Sequence, residues 1–366
     1  MASLAVASSH AIYNTGVRHH IDALSIAPSS GSSDAMAALA TSSLTGDSWD
    51  GCLVVLDRVG SADISRNGSS PAVQPANVVA RAQTQNGISS IAWLSSSNNS
   101  LLATGDDRGD LTVWQLEQSS STCSVVSTFG EHTQPITSLA AAAHANGPSS
   151  TMAAAPAGRI ATTSLDGTAK AWNAAVAGGC LATLEHLPLH ATWGEVPVHS
   201  SCWLDDGAQL LATGASDGVV RLWDVRQASP AATRCAPHTA PILCLSRGAG
   251  VESPQLLAGA ESGSLLLLDA RKLDAPVASV AQVAGDVALS TLCLAPLAQA
   301  AMTPVVAAGL EDGCVALLDP RDLHLLTTAR PNEARVGGLG WAANNVLLSG
   351  GWDRRLVRIE FGPAAQ

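Results

Sequence analysis

Apolar residues in this chain come in short runs, each followed by small residues, a tight turn and a second run in which apolar and other side chains alternate with period two. Seven segments follow that template: 38–57 (ALATSSLTGDSWDGCLVVLD), 101–116 (LLATGDDRGDLTVWQL), 160–173 (IATTSLDGTAKAWN), 210–225 (LLATGASDGVVRLWDV), 256–269 (LLAGAESGSLLLLD), 305–319 (VVAAGLEDGCVALLD) and 346–361 (VLLSGGWDRRLVRIEF). Each predicts a β-hairpin. The turn glycines Gly51, Gly109, Gly167, Gly218, Gly263 and Gly313 are 58, 58, 51, 45 and 50 residues apart, and Arg354 takes the seventh place 41 residues further on. Glycine enters the positive-φ turns of such hairpins at no steric cost. Shorter apolar runs upstream, among them 21–27 (IDALSIA), 88–94 (ISSIAWL), 136–140 (ITSLA), 242–246 (ILCLS) and 336–341 (VGGLGW), supply an inner strand for each hairpin.

With an outer strand added, every repeat becomes a four-stranded blade in about 40 to 58 residues, and seven blades use the whole chain. The expected fold is therefore all-β: one seven-bladed β-propeller over residues 1–366. The seventh repeat ends at Phe361, and residues 362–366 are too few for a fourth strand. Residues 11–17 (AIYNTGV) are expected to close the last blade as a clasp, which removes sheet edges that would template aggregation. Residues 61–85 and 140–158 are rich in Ser, Ala, Gly and Pro without a hydrophobic period, and are expected to be mobile surface loops.

Nineteen Lys and Arg against thirty Asp and Glu leave a net charge of −11, and Lys170 and Lys272 are the only lysines. This balance argues against direct binding of nucleic acid and suits a basic partner. No apolar run reaches the ~18 residues of a membrane span. Residues 1–11 have no basic stretch ahead of an apolar one, and the eight cysteines contain no C-x-x-C pair; both point to the cytoplasm and nucleus.

No motif survives as catalytic. Residues 214–218 (GASDG) match G-x-S-x-G, but the pattern needs a strand-to-helix turn and here joins two strands. His186 and His190 have the spacing of a helical zinc pair, yet Pro188 between them breaks any helix. A phosphate loop is absent. The expectation is a protein that is not an enzyme and holds no cofactor or metal.

The pair Trp223-Asp224, with weaker echoes at Trp172-Asn173, Trp114-Gln115, Leu268-Asp269 and Leu318-Asp319, resembles the WD-repeat signature. Only His132 and His238 stand in register with that family's Gly-His start. The resemblance implies a buried hydrogen-bonded network of His132, Asp166 and Trp172. Trp49 (GDSWDG) falls in the first hairpin turn and Trp352 (GGWDRR) in the corresponding place of the seventh, where large rings on one exposed face would be binding hot spots.

Residues 40–56, 83–94 and 101–117, with the closing Gly350-Gly351-Trp352-Asp353, are similar to the methylosome WD-repeat subunit family. That resemblance implies a non-catalytic partner of the type II protein arginine methyltransferase, which helps present Arg-rich histones and Sm-type splicing proteins. It implies that Trp49 inserts into the methyltransferase, flanked by Asp47, Ser48 and Asp50. The alternative comes from Trp223-Asp224-Val225-Arg226, which fits the W-D-x-R box of substrate receptors for cullin-type ubiquitin ligases; there Trp223, Asp224 and Arg226 would face the adaptor.

Overall fold

In the computed structural model, the period-two runs pair into seven antiparallel four-stranded units, and all regular structure among the described residues is strand. The structure describes residues 4–363 except 16–17, 28–34, 46–47, 60–71, 95–99, 118–119, 143–157, 175–178, 188–193, 228–232, 236–237, 249–253, 274, 296–303 and 344. From inside to outside, blade 1 is His20–Ile26, Ala37–Thr45, Ser48–Asp57 and Asn77–Thr84. Blade 2 is Ile88–Trp93, Leu101–Asp106, Asp110–Glu117 and Thr122–Gly130; blade 3 is Ile136–Ala141, Arg159–Ser164, Thr168–Asn173 and Cys180–Glu185. Blade 4 is Val198–Trp203, Leu210–Ala215, Val220–Asp224 and Thr233–Cys235, and blade 5 is Ile242–Arg247, Gln255–Ala260, Leu265–Asp269 and Ala278–Val280. Blade 6 is Leu289–Leu294, Val306–Leu310, Val315–Leu318 and Leu325–Ala329. Blade 7 contributes Val336–Ala343, Val346–Gly351 and Leu356–Pro363, and its fourth strand is the N-terminal Leu4–Asn14, antiparallel to Leu356–Pro363.

The clasp therefore starts before residue 11, and residues 16–17 lie outside the described set. It carries a further strand: Ala72–Pro75 runs parallel to it, pairing Ala11 with Ala72 and Asn14 with Pro75. Tyr13 fastens the junction by donating its hydroxyl to the Val59 carbonyl at 3.0 Å, and Arg81 donates to the Thr15 carbonyl. Residues 61–85 are accordingly not a loop throughout. Their second half holds this fifth strand and the outer strand of blade 1 (NVVARAQT), whose period-two pattern is interrupted by a bulge that leaves Val79 unpaired. Of the expected loop at 140–158, residues 140 and 141 end a strand and 143–157 lie outside the described residues.

Apolar side chains pack between neighbouring blades rather than around one centre. Leu53 and Val55 of blade 1 meet Ile91, Leu102 and Trp114 of blade 2, and Leu257 and Leu265 of blade 5 meet Val306 and Leu318 of blade 6. Full burial of one such leucine contributes about 1.5–3 kcal/mol.

Every inner strand has a β-bulge at the same register, and the residue left unpaired lines a central channel of about 480 Å3: Asp22, Ser89, Thr137, His199, Leu243, Ser290 and Gly337. A bulge bends its strand and re-aims one side chain. Three hydroxyls at this position donate to a carbonyl of the next blade: Ser89 to Ile136, Thr137 to Val198 at 2.6 Å and Ser290 to Val336 at 2.7 Å. At the last junction Gly337 is obligatory, because a Cβ there would lie 2.0 Å from the Ile21 carbonyl oxygen.

Candidate protein-docking face

Each turn between the second and third strands opens on one face of the ring, and five of the six turn glycines behave as their sequence context predicts. Gly109, Gly167, Gly218, Gly263 and Gly313 all have positive φ, and Arg354 adopts φ 68° in the seventh turn. Gly51 is the exception. It sits inside a strand opposite Ser42, and the pairing runs on through Asp50 with Ser43 and Trp49 with Leu44 to Ser48 with Thr45. In blade 2 the pairing ends at Gly105 with Leu111, which corresponds by bulge register to Ala40 with Leu53. The blade 1 ladder thus runs on for five residue pairs past the place where its neighbour's ends, about 17 Å of strand at ~3.4 Å per residue.

Trp49 and Trp352 consequently do not hold corresponding places. Asp50-Gly51 imitates the Asp-Gly turns of the other repeats, whereas the strands close around the two residues Gly46 and Asp47, and a two-residue link beginning with Gly suits a tight hairpin. Trp49 is carried near the end of the arm. Asp47 and the side chains of Ser48 and Trp49 lie outside the described residues. Asp50 accepts a hydrogen bond from Gln83 Nε2 at 3.4 Å.

Trp352 stands at the base of the same arm. His20 pairs with Ser42 across blade 1; its ring centroid is 5.6 Å from that of Trp352, and its Nδ1 donates to the Trp352 carbonyl at 2.5 Å. The Arg335 guanidinium lies over the indole, 5.2 Å from the centroid, a cation–π contact that holds the ring while leaving 42% of the residue exposed. Beside it, Asp22 Oδ2 accepts from Ser42 Oγ at 2.6 Å; burial pushes the Asp22 carboxyl up to about 6, against the opposing effects of Ser42 and His20. Asp107 is also raised, first by burial and then by neighbouring Asp106. The rim between blades 7 and 2 is an aromatic and acidic surface backed by a projecting arm.

Below this face lie the networks that hold the blades. In blade 3, His132 Nδ1 donates to Asp166 Oδ2 at 2.9 Å, Thr162 Oγ1 is 2.8 Å from His132 Nε2, and Trp172 Nε1 donates to Thr162 Oγ1 at 2.8 Å. Burial lowers the His132 pKa and so favours the neutral imidazole, whose Nε2 accepts from Thr162. Burial works against the Asp166 carboxylate, but hydrogen bonds from Thr168 and His132 keep its pKa below the usual range. Blade 4 repeats the chain from Trp223 through Thr213 and His186, two residues that the sequence motif did not single out. Trp223 Nε1 donates to Thr213 Oγ1 at 2.7 Å, Thr213 is 2.8 Å from His186 Nε2, and His186 Nδ1 donates to the Leu184 carbonyl at 3.2 Å. Asp217 is freed for Arg221, a fully buried guanidinium that it binds at 2.6 Å.

Asparagine fills the histidine place twice. Asn86 donates to Asp106 at 2.8 Å in blade 2, where Trp114 again reaches Thr104 at 2.9 Å; Asn332 donates to Asp353 at 3.0 Å and accepts from Ser349 at 2.6 Å in blade 7. His238 bonds Ser264 at 3.0 Å. A usable signal was present, since the threonine precedes its tryptophan by ten residues in all three blades.

On the opposite face, Arg226 folds back onto its own turn, with Nε and Nη2 on the two oxygens of Asp224 at 2.8 and 2.5 Å. Those bonds hold the Asp224 pKa down, to about 2. Asp224, Asp269 and Asp319 each accept from the backbone N–H two residues on, so the Asp-x-Arg pattern is first of all a turn motif. Among the described residues no three His, Cys, Asp or Glu side chains converge as metal ligands.

The profile of the WD domain, G-beta repeat family matches residues 123–173 and 178–224. Each match runs from one blade's outer strand through the third strand of the next, which places the two repeats on blades 3 and 4. This chain is a seven-bladed β-propeller, and its blades 3 and 4 match the WD repeat. The two matched blades are those with a complete His-Thr-Trp relay. The WD propeller superposes on a chain of a solved structure described as "Crystal Structure of Mitotic Checkpoint Complex" with TM-score 0.69 and 15% identity, over 97% of this chain and 93% of that one, a likeness of fold. No curated protein matches the WD propeller's sequence.

Proposed function

We propose that this propeller is a non-catalytic scaffold of the cytoplasm and nucleus that docks a type II protein arginine methyltransferase on the rim around the blade 1 arm and helps present Arg-rich substrates, such as histones and Sm-type proteins. The observation that carries the reading is the arm itself: five extra residue pairs that carry Trp49 away from the ring, with an exposed Trp352 at its base in contact with His20 and Arg335. A large ring on a stiff support loses little entropy on binding and gains most when a partner desolvates it. The resemblance of residues 40–56 and 350–353 to the methylosome subunit family names the partner, and the charge of −11 suits basic substrates. The described cysteines are unbridged, in keeping with a reducing compartment.

The test is calorimetric titration of the methyltransferase into wild type and Trp49→Ala. The substitution is expected to leave the melting temperature unchanged and to cost about 2 kcal/mol or more of binding, near a thirtyfold loss of affinity. An unchanged affinity in the folded variant would remove Trp49 from the site. Arg226→Ala serves as the control on the opposite face, with no expected effect.

A further inference from the structure

We propose that the outer edge of blade 2 is a second docking surface, which takes an extended segment of a partner protein as a fifth strand, uncharged along its middle and basic at both ends. Thr122–Gly130 is the last strand of its sheet and, at nine residues, is as long as any outer strand but the clasp. Native edge strands are guarded by shortness, charge or a covering segment. Blades 4 and 5 end in strands of three residues, blade 1 carries Arg81, blade 3 ends on Glu185, and blade 6 has five residues. Blade 7 is covered by Ala72–Pro75, so an outer edge of this ring already accepts an added strand.

Among the described residues blade 2 has none of these three guards. Residues 118–130 contain no charge, and Val125 and Val126 are 55% and 57% exposed. The strand has one irregularity, a bulge that leaves Val126 unpaired with the third strand. Carboxylates mark both ends of the ladder: Glu117 pairs with Thr122, and Asp110 pairs with Gly130 next to Glu131. The two carboxylates, Glu117 and Asp110, are seven residues apart along the third strand, about 24 Å, which sets the spacing of the basic residues in the occupant. Main-chain hydrogen bonds would give affinity, the valines would favour β-branched neighbours, and the terminal carboxylates would fix register.

The probe is a fluorescein-labelled peptide of about eight residues, Arg-Thr-Val-Thr-Val-Thr-Val-Arg, whose arginines stand seven residues apart as the two carboxylates do. Fluorescence anisotropy is expected to report saturable binding to the full chain. Val126→Lys should weaken it at least tenfold with the melting temperature unchanged. Glu117→Lys should weaken the same peptide and strengthen a version with Glu at one end. Equal binding by folded Val126→Lys, or equal binding of the Arg-ended and Glu-ended peptides to wild type, would overturn the proposal. Trp49→Ala should leave this binding intact, which separates the edge from the methyltransferase rim.

Discussion

At the residue scale, the fold depends on a few buried polar chains whose protonation is fixed by burial. Thr213 is both the acceptor for Trp223 and the donor to neutral His186. Thr213→Val leaves both groups unpaired, and at about 1–3 kcal/mol for each buried group the expected loss is about 3 kcal/mol, read from the chemical denaturation midpoint. The histidines also set the pH response. Burial pushes His186 down to about 3 and lowers His132, His199 and His238, so between that range and the ordinary 6.5 the unfolded chain binds more protons than the folded one. Stability is therefore full above 6.5 and falls as pH drops. Asp22 acts in the other sense: raised to about 6, it binds its proton more tightly when folded, which lowers stability above that pH and relieves the loss below it. Melting curves are expected to show a falling midpoint from pH 7.5 to 5. Asp22→Asn should be the more stable protein at pH 7.5, with the advantage shrinking towards pH 5.

At the element scale, the turns separate what local sequence can decide from what it cannot. Arg354 at φ 68° occupies a glycine position, and Arg354→Gly is expected to stabilise blade 7 by about 0.5 kcal/mol, the left-handed strain removed less the extra freedom of the unfolded chain. Gly218→Ala should be damaging, because φ is +72° and the new Cβ would lie 2.3 Å from the His238 carbonyl oxygen. Thermal melts of the two variants should move in opposite directions. Five turn glycines were legible because Asp-Gly, Ser-Gly or, at 106–109, Asp-Asp-Arg-Gly punctuates two alternating runs. Gly51 misled for the same reason, since its Asp-Gly pair lies within a longer hairpin whose strands stay paired as far as Thr45 and Ser48. The asparagines at 86 and 332 were illegible to a search for histidine, although they make the same bond to the turn aspartate. Variable loops also hid His186, which belongs to blade 4 although it follows the last strand of blade 3.

At the scale of the whole molecule, ring closure was legible from a count of strands: seven hairpins, seven inner strands and one outer strand missing at the end. The second layer of the closure was not, because a four-residue strand at 72–75 has no period of its own and owes its place to pairing with the clasp. Without residues 1–15 the outer edge of Leu356–Pro363 is left open, and the truncated chain is expected to aggregate during size-exclusion chromatography where the full chain elutes as a single species. The function of the ring is a matter of which faces remain available once the edges are closed. The projecting blade 1 arm and Trp352 lie on one face, and Arg226 lies on the other, held by Asp224.

Hydrogen exchange of the full chain, alone and with the type II arginine methyltransferase, would test the docking face most directly. The account expects slowed exchange in peptides covering 42–51 and 350–355, with the turn at 224–227 unchanged. Protection confined to 224–227, or no protection on the blade 1 arm in a complex that does form, would contradict it.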